Sequence, residues 1–218
     1  MSRKKKKKFE EMRSFKNVFQ WDDEDTKEKV KEIIGQYEKV MLELACGRGE
    51  YSLHLGKNNK DTLLLGIDIQ GERIWKGAKE ALENNLENVY FLRTQIQNIL
   101  EYIPKNSVNE IWITFPDPFP RERDSKRRLT SHRFFEMYKD ILKEDGVVHL
   151  KTDSDELYEY TLEVIEDMGL NVLENMLDIY SNGDIPNLTD IQTTFEKKHL
   201  EDGKSIKYLK FNLFILPI

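Results

Sequence analysis

The chain has 218 residues, enough for one sizeable core and short of two comfortable domains. Hydrophobic residues at 39%, with 11 Phe, 9 Tyr and 3 Trp, supply that core and exclude wholesale disorder. No apolar run approaches the ~20 residues of a membrane span, and the lone Cys46 excludes a disulfide framework or a cysteine-rich zinc site. Phe9-Glu10-Glu11 follows the lysine run directly, with no hydrophobic signal segment, so the chain reads as cytoplasmic with no membrane or metal partner.

The net charge of −6 conceals an asymmetry. Residues 1–8 carry +6, residues 121–133 carry +4, and the remainder therefore sums to −16. An acidic body with two basic segments suits a localised phosphate-binding surface. Residues 1–20 read as a basic, flexible arm and residues 21–218 as a single domain. Composition alone makes Lys4 to Lys8 a solvated, disordered tail or a localisation signal. Phe9, Phe15, Phe19 and Trp21 interleave with charge, which suits docking of the arm or stacking on bases.

In chain order, mostly apolar runs mark strands at residues 39–45, 62–68, 88–92, 108–115 and 146–151. Helical periodicity lies between them. Ile74, Trp75, Ala78, Ala81 and Leu82 share a face, as do Phe134, Tyr138, Ile141 and Leu142, and Leu157, Thr161, Val164, Ile165 and Met168. Gly146 and Gly169 stand where helix C-terminal glycines belong. Residues 171–180 and 206–216 look extended, without a full crossover helix, which predicts an antiparallel addition at the sheet edge. The whole pattern predicts an α/β fold: a seven-stranded, mostly parallel sheet with an antiparallel C-terminal strand and helices on both faces.

Glu43-Leu-Ala-Cys-Gly-Arg-Gly49 closes the first strand and opens a helix at Glu50. Gly47 and Gly49 permit a tight turn and close approach by a ligand at a helix N-terminus. Asp68, about twenty residues on, ends the second strand, where a carboxylate accepts hydrogen bonds from ribose hydroxyls. The pair points to a nucleoside-containing cofactor; an ordinary strand–turn–helix corner is the competing reading for the glycines alone. Ser52, where a dinucleotide fingerprint wants a third glycine, weakens NAD or FAD. The fourth strand runs into Pro116-Asp-Pro-Phe-Pro120, whose prolines hold Asp117 outside the strand end, and then into the basic segment. An Asp between prolines is often only a turn former.

With these motifs the chain resembles the bacterial-type tRNA (guanine-N7)-methyltransferases, on the class I S-adenosylmethionine-dependent methyltransferase fold. Four blocks from about Val40 onward carry the resemblance: Glu43 to Glu50; the Pro-Asp-Pro-Phe-Pro loop with Lys126-Arg-Arg-Leu-Thr130; His149-Leu-Lys-Thr-Asp153; and Thr193-Thr-Phe-Glu196. It implies a Rossmann-like methyltransferase domain, S-adenosyl-L-methionine as cofactor, and N7 of the variable-loop guanosine of tRNA as target. Carried over by position, Glu43, Gly47, Gly49, Asp68, Gln95 and Asp117 look like cofactor residues, with Asp117 also catalytic. Arg121, Asp153, Thr193 and Glu196 look like substrate contacts. Ala45 departs from the usual first glycine, Gln95 from an Asp, and Arg121 from a common Lys.

Plainer readings stand beside these. Asp153 is placed to cap the helix beginning near Asp155, and Thr193-x-x-Glu196 is a capping box. The four histidines show no metal-ligand spacing and read as packing or surface groups. The competing functions are a methyltransferase acting on another RNA site and a non-catalytic RNA-binding module. The expected assembly is a monomer or homodimer.

Overall fold

The computed structural model describes residues 3–181 and 183–214, with the backbone alone for residues 3–6. The side chains of Lys4 to Lys6 and the last residues of the strand expected over 206–216 therefore lie outside the described residues. The chain divides into two compact units, Met1–Val108 and Asn109–Ile218.

The first unit holds helix α1 (Arg3–Met12), strand β1 (Val18–Gln20), α2 (Thr26–Gly35), β2 (Lys39–Leu44), α3 (Glu50–Asn58), β3 (Thr62–Asp68), α4 (Gly71–Glu83) and β4 (Val89–Arg93). Its strands run in the order β1-β4-β3-β2. Each of those pairings is parallel, with Val18 opposite Phe91, Leu64 opposite Val89 and Leu42 opposite Leu65. Every residue of β3 is buried, as a strand covered on both faces requires. Parallel pairing sets the carboxyl ends of β2, β3 and β4 at one edge, and Glu43, Asp68 and Gln95 stand at or just past those ends.

The second unit holds β5 (Val108–Thr114), α5 (His132–Ile141), β6 (Leu142–Thr152), α6 (Asp155–Asp167), β7 (Val172–Met176), α7 (Thr194–Glu201) and β8 (Lys207–Asn212). Its order is β5-β6-β8-β7. β8 lies antiparallel to both β6 and β7, as expected for the C-terminal extended segments, although the eight-residue α7 lies between β7 and β8. Short 3-10 segments at Ile96–Glu101 and Glu122–Arg127 complete the described elements.

Four differences from the sequence reading have physical causes. Eight strands are present among the described residues, not seven, because β1 is three residues long and carries no readable alternation. α2 escapes notice because four of its first six residues are charged, although Val30, Ile33 and Ile34 are buried. Gly146 does not follow a helix: α5 stops at Ile141 and β6 begins at once, so Gly146 lies inside the strand. A Cβ there would meet the Lys143 carbonyl oxygen at 2.8 Å, which is the tight approach the glycine permits. The helix at Asp155 is capped by Ser154, whose hydroxyl accepts from Leu157 N at 3.2 Å, and not by Asp153.

Gly169 does close α6, at φ +63°, with its N–H on the Glu166 carbonyl at 2.9 Å. The aromatics of the N-terminal segment behave unequally. Phe9 lies against Gly71 and under the Arg93 guanidinium, 4.7 Å from its ring centre. Phe19 stacks on Tyr90, whereas Trp21 remains 53% exposed.

Candidate functional site

In the first unit, β2 turns into α3 through residues 45–49, and the turn is built from left-handed backbone. Ala45, Gly47 and Gly49 have φ of +54°, +56° and +64°. The two glycines are needed for different reasons. A Cβ at Gly49 would sit 2.4 Å from the Phe91 ring, so packing alone demands glycine there. A Cβ at Gly47 would meet nothing nearer than the Arg73 side chain at 3.7 Å, so Gly47 serves conformation and leaves its outer side open to a ligand. Ala45 adopts the same region with a Cβ, at a cost of about 1–2 kcal/mol.

Asp68 organises this corner. Its Oδ2 accepts from Gly47 N at 2.9 Å and its Oδ1 from Gln70 N at 2.7 Å. Each oxygen keeps a second acceptor site, the chemistry that ribose hydroxyls require. Glu43 lies behind the turn, 4% exposed, and its Oε2 accepts from both the N–H and the hydroxyl of Ser52 in the first turn of α3. Burial pushes the Glu43 carboxyl up to about 7, against the pull of the Ser52 bonds. Burial, and secondarily the charges of Glu43 and Asp68, raises the Cys46 thiol above its ordinary range, which favours the protonated form. Gln95 is exposed just past β4, its side-chain oxygen accepting from Gln97 at 2.6 Å. Of the residues expected to hold the cofactor here, Glu43 anchors the turn, Gly47 and Asp68 form its face, and Gln95 stands at the next strand end.

In the second unit, β5 leads into the proline loop. Phe115 and Phe119 are left-handed, at φ +48° and +43°, and bracket an exposed Asp117. The loop is held by Arg128. Its Nε donates to the Pro118 carbonyl at 2.9 Å, its Nη2 to the Phe119 carbonyl at 3.0 Å, and its guanidinium lies 4.3 Å from the Tyr160 ring centre. Only 7% exposed, Arg128 is thus withdrawn from the phosphate-binding role that its place in the basic segment suggests. Arg121, Arg123, Lys126, Arg127 and Arg133 are exposed. Leu129 and Thr130 anchor the far end: Tyr138 donates to the Leu129 carbonyl at 3.0 Å and the Thr161 hydroxyl to that of Thr130 at 2.8 Å.

Beyond β6, Asp153 is half-buried, with Lys204 Nζ at 2.5 Å and His199 Nδ1 at 3.3 Å from its Oδ2. Thr193 and Glu196 form the capping box of α7. Glu196 is fully buried; its Oε1 lies 2.7 Å from Lys151 Nζ and 2.7 Å from the Tyr180 hydroxyl. Lys151, also buried, donates to the Leu188 and Ile191 carbonyls, fastening the segment before α7. Burial pulls its ammonium down while Glu196 opposes that shift.

Three groups escape the sequence reading: Arg128, hidden among arginines of the same run; His199, counted as packing; and Lys151. The last left a signal, a lysine closing the apolar run Val147-Val148-His149-Leu150.

A family described as putative methyltransferase matches residues 37–209. The chain is 43% identical over 222 residues to the tRNA (guanine-N(7)-)-methyltransferase of Christiangramia forsetii, spanning 97% of this chain and 99% of that one. To the protein so named in Porphyromonas gingivalis it is 45% identical over 175 residues, 80% of this chain and 71% of the relative. Among solved structures, the 30S ribosomal A1408 methyltransferase of an uncultured bacterium superposes with a TM-score of 0.63 at 21% identity, covering 89% of this chain and 98% of that one. A variant of the 16S rRNA (adenine(1408)-N(1))-methyltransferase of Catenulisporales acidiphilia, solved with its cosubstrate SAM, gives 0.65 at 12% identity, over 88% and 93% of the two chains. At those identities the structural likeness carries the fold alone.

Fold, family and corner chemistry together make the protein a class I methyltransferase whose methyl donor is S-adenosylmethionine. The open face of Gly47 and the spare acceptor sites of Asp68 suit the nucleoside of that donor. The chain belongs to the tRNA (guanine-N7)-methyltransferase family.

Proposed function

We propose that the protein transfers a methyl group from S-adenosylmethionine to N7 of the variable-loop guanosine of tRNA. The observation that carries this reading is the 43% identity, along 97% of the chain, to a relative named for guanine-N7 methylation of tRNA. The exposed arginines that follow the Asp117 loop support a polyanionic substrate. No helix among the described residues is long and apolar enough to cross a membrane. The proposed location, the cytoplasm, follows from the proposed tRNA substrate.

When bound, S-adenosylmethionine supplies an electrophilic methyl group on a sulfonium. Guanine N7 takes it with a lone pair that bears no proton, so no side chain has to remove one. What remains for the protein is alignment and electrostatics. Asp68 holds the ribose hydroxyls, Glu43 fixes the glycine turn, and Gln95 serves the adenine side. Asp117, exposed on a stiff loop, orients the guanine edge and offsets the positive charge that grows on the purine. Arg121 binds phosphate and Asp153 a donor edge of the nucleoside. Thr193 and Glu196 act through the cap of α7, since Glu196 is fully buried. The lysine arm adds sequence-independent affinity.

Labelled S-adenosylmethionine with unmodified tRNA, followed by nuclease digestion and nucleoside mapping, tests the proposal. It predicts a single 7-methylguanosine in the variable loop. A methyl group on another nucleoside would reassign the substrate site. Binding of the cofactor product without any transfer would favour an RNA-binding module.

A further inference from the structure

His199 stands apart from the motifs that define the family resemblance, yet it touches two segments that carry proposed substrate residues. Its Nδ1 lies 3.3 Å from Asp153 Oδ2, an ion-pair distance without hydrogen-bond geometry, and its ring stacks on Phe115 with centres 5.9 Å apart and planes 22° from parallel. Phe115 is the left-handed residue at the root of the Asp117 loop, and its N–H is fastened to the Lys151 carbonyl at 2.8 Å. Lys204, held by a bond from its N–H to the His199 carbonyl at 3.0 Å, brings its ammonium to the same Oδ2.

We propose that His199 is a positioning residue for the methyl transfer: one ring stacks on the root of the Asp117 loop and sets its Nδ1 beside the carboxylate of Asp153. The chemistry is specific to an imidazole. A phenyl ring supplies the stack and no polar contact, whereas a carboxamide supplies a donor to Oδ2 and a poorer stack. With Oδ2 held by Lys204 beside His199, Oδ1 is the oxygen left for a substrate, where an acceptor suits the N1–H and N2–H donors of guanine. Adenine offers an acceptor at N1 and is turned away. Phosphate contacts lie elsewhere, so His199 acts on the reacting geometry and hardly on overall tRNA affinity.

This inference rests on the reading of Asp153 as a substrate contact, and the test separates the two. The full chain is assayed with unmodified tRNA in single turnover, alongside equilibrium binding of tRNA and of S-adenosylhomocysteine. His199→Ala is expected to lower the single-turnover rate about tenfold, with both binding constants moving less than about twofold. His199→Asn should recover most of the rate and His199→Phe only part of it. In an Asp153→Asn background, His199→Ala should add less than about a twofold loss, because its partner is already gone. A further tenfold loss there, or a wild-type rate for His199→Phe, overturns the positioning role while leaving Asp153 as a substrate contact. A full rate for Asp153→Asn alone removes that underlying contact and the proposal with it. If His199→Ala is too unstable to assay, the order of Asn above Phe decides the question.

Discussion

Two strand-end loops carry the proposed chemistry, and opposite means stiffen them. Residues 45–49 are shaped chiefly by main chain: three left-handed residues turn the backbone and Gly49 N donates to the Cys46 carbonyl at 2.7 Å, with one carboxylate, that of Asp68, on Gly47 N. Residues 115–120 are held by a side chain: Arg128 reaches back to two carbonyls, and Arg127 lies 4.3 Å from the Phe119 ring centre. The first arrangement leaves backbone and an open glycine face for a ligand. The second frees an acidic side chain, Asp117, by occupying the loop's own carbonyls. A corner that binds needs bare main chain, and a loop that acts on charge needs its main chain satisfied from behind.

The largest effect that follows is at Asp117. Asp117→Ala should lower the single-turnover rate by about 100–1000-fold, the range for losing a preorganised electrostatic group, with tRNA affinity nearly unchanged. A rate within tenfold of wild type would remove Asp117 from the reacting centre. On the other loop, Asp68→Ala should weaken S-adenosylhomocysteine binding by about 1.5–3 kcal/mol in titration calorimetry, since it removes charged acceptors and releases Gly47. An unchanged dissociation constant would make Asp68 a brace for the turn and nothing more.

Glu43 supplies a pH test of the same corner. Its folded carboxyl titrates at about 7, raised from an ordinary 4.5, so its contribution favours folding below about 4.5 and is lost as pH rises toward 7. Glu43→Gln should flatten that part of the stability curve, read as a shrinking gap in denaturation midpoint between pH 5 and pH 8 (about three pH units apart). The same slope in both proteins would mean that Glu43 is solvated. The smallest effect is at Ala45. Ala45→Gly relieves a left-handed Cβ but adds freedom to the unfolded chain, for a net gain of about 0–1 kcal/mol. A clear loss of stability would show that the methyl group packs productively.

How much of this was legible in the sequence differs between the loops for the same physical reason. Glycines at a strand end announce a backbone-built turn, so Gly47, Gly49 and Asp68 were readable from spacing. The parallel core was readable too, because strands such as Thr62–Asp68 are mostly apolar and buried along their whole length. The side-chain-built loop was only half readable. Prolines marked its stiffness, but nothing in Lys126-Arg-Arg-Leu-Thr130 tells which arginine turns inward, because that depends on where the Pro118 and Phe119 carbonyls come to lie. His199 and Lys151 were hidden likewise, since their partners Asp153 and Glu196 lie more than forty residues away in sequence. Three-residue β1 and charge-rich α2 were lost to short length and dense charge.

The contrast between the loops turns on a proposed division of labour within one basic segment: Arg128 holds the loop, and its exposed neighbours are the residues proposed to meet RNA. A salt series of tRNA binding, with single-turnover rates, on Arg128→Ala and Arg123→Ala measures that division directly. Arg123→Ala should flatten the slope of log affinity against log salt by about 0.7–0.9 and leave the saturated rate intact. Arg128→Ala should leave the slope unchanged and cut the saturated rate by at least about tenfold, as Asp117 loses its support. A flattened slope with a normal rate for Arg128→Ala would contradict the division and return that arginine to the phosphate-binding surface.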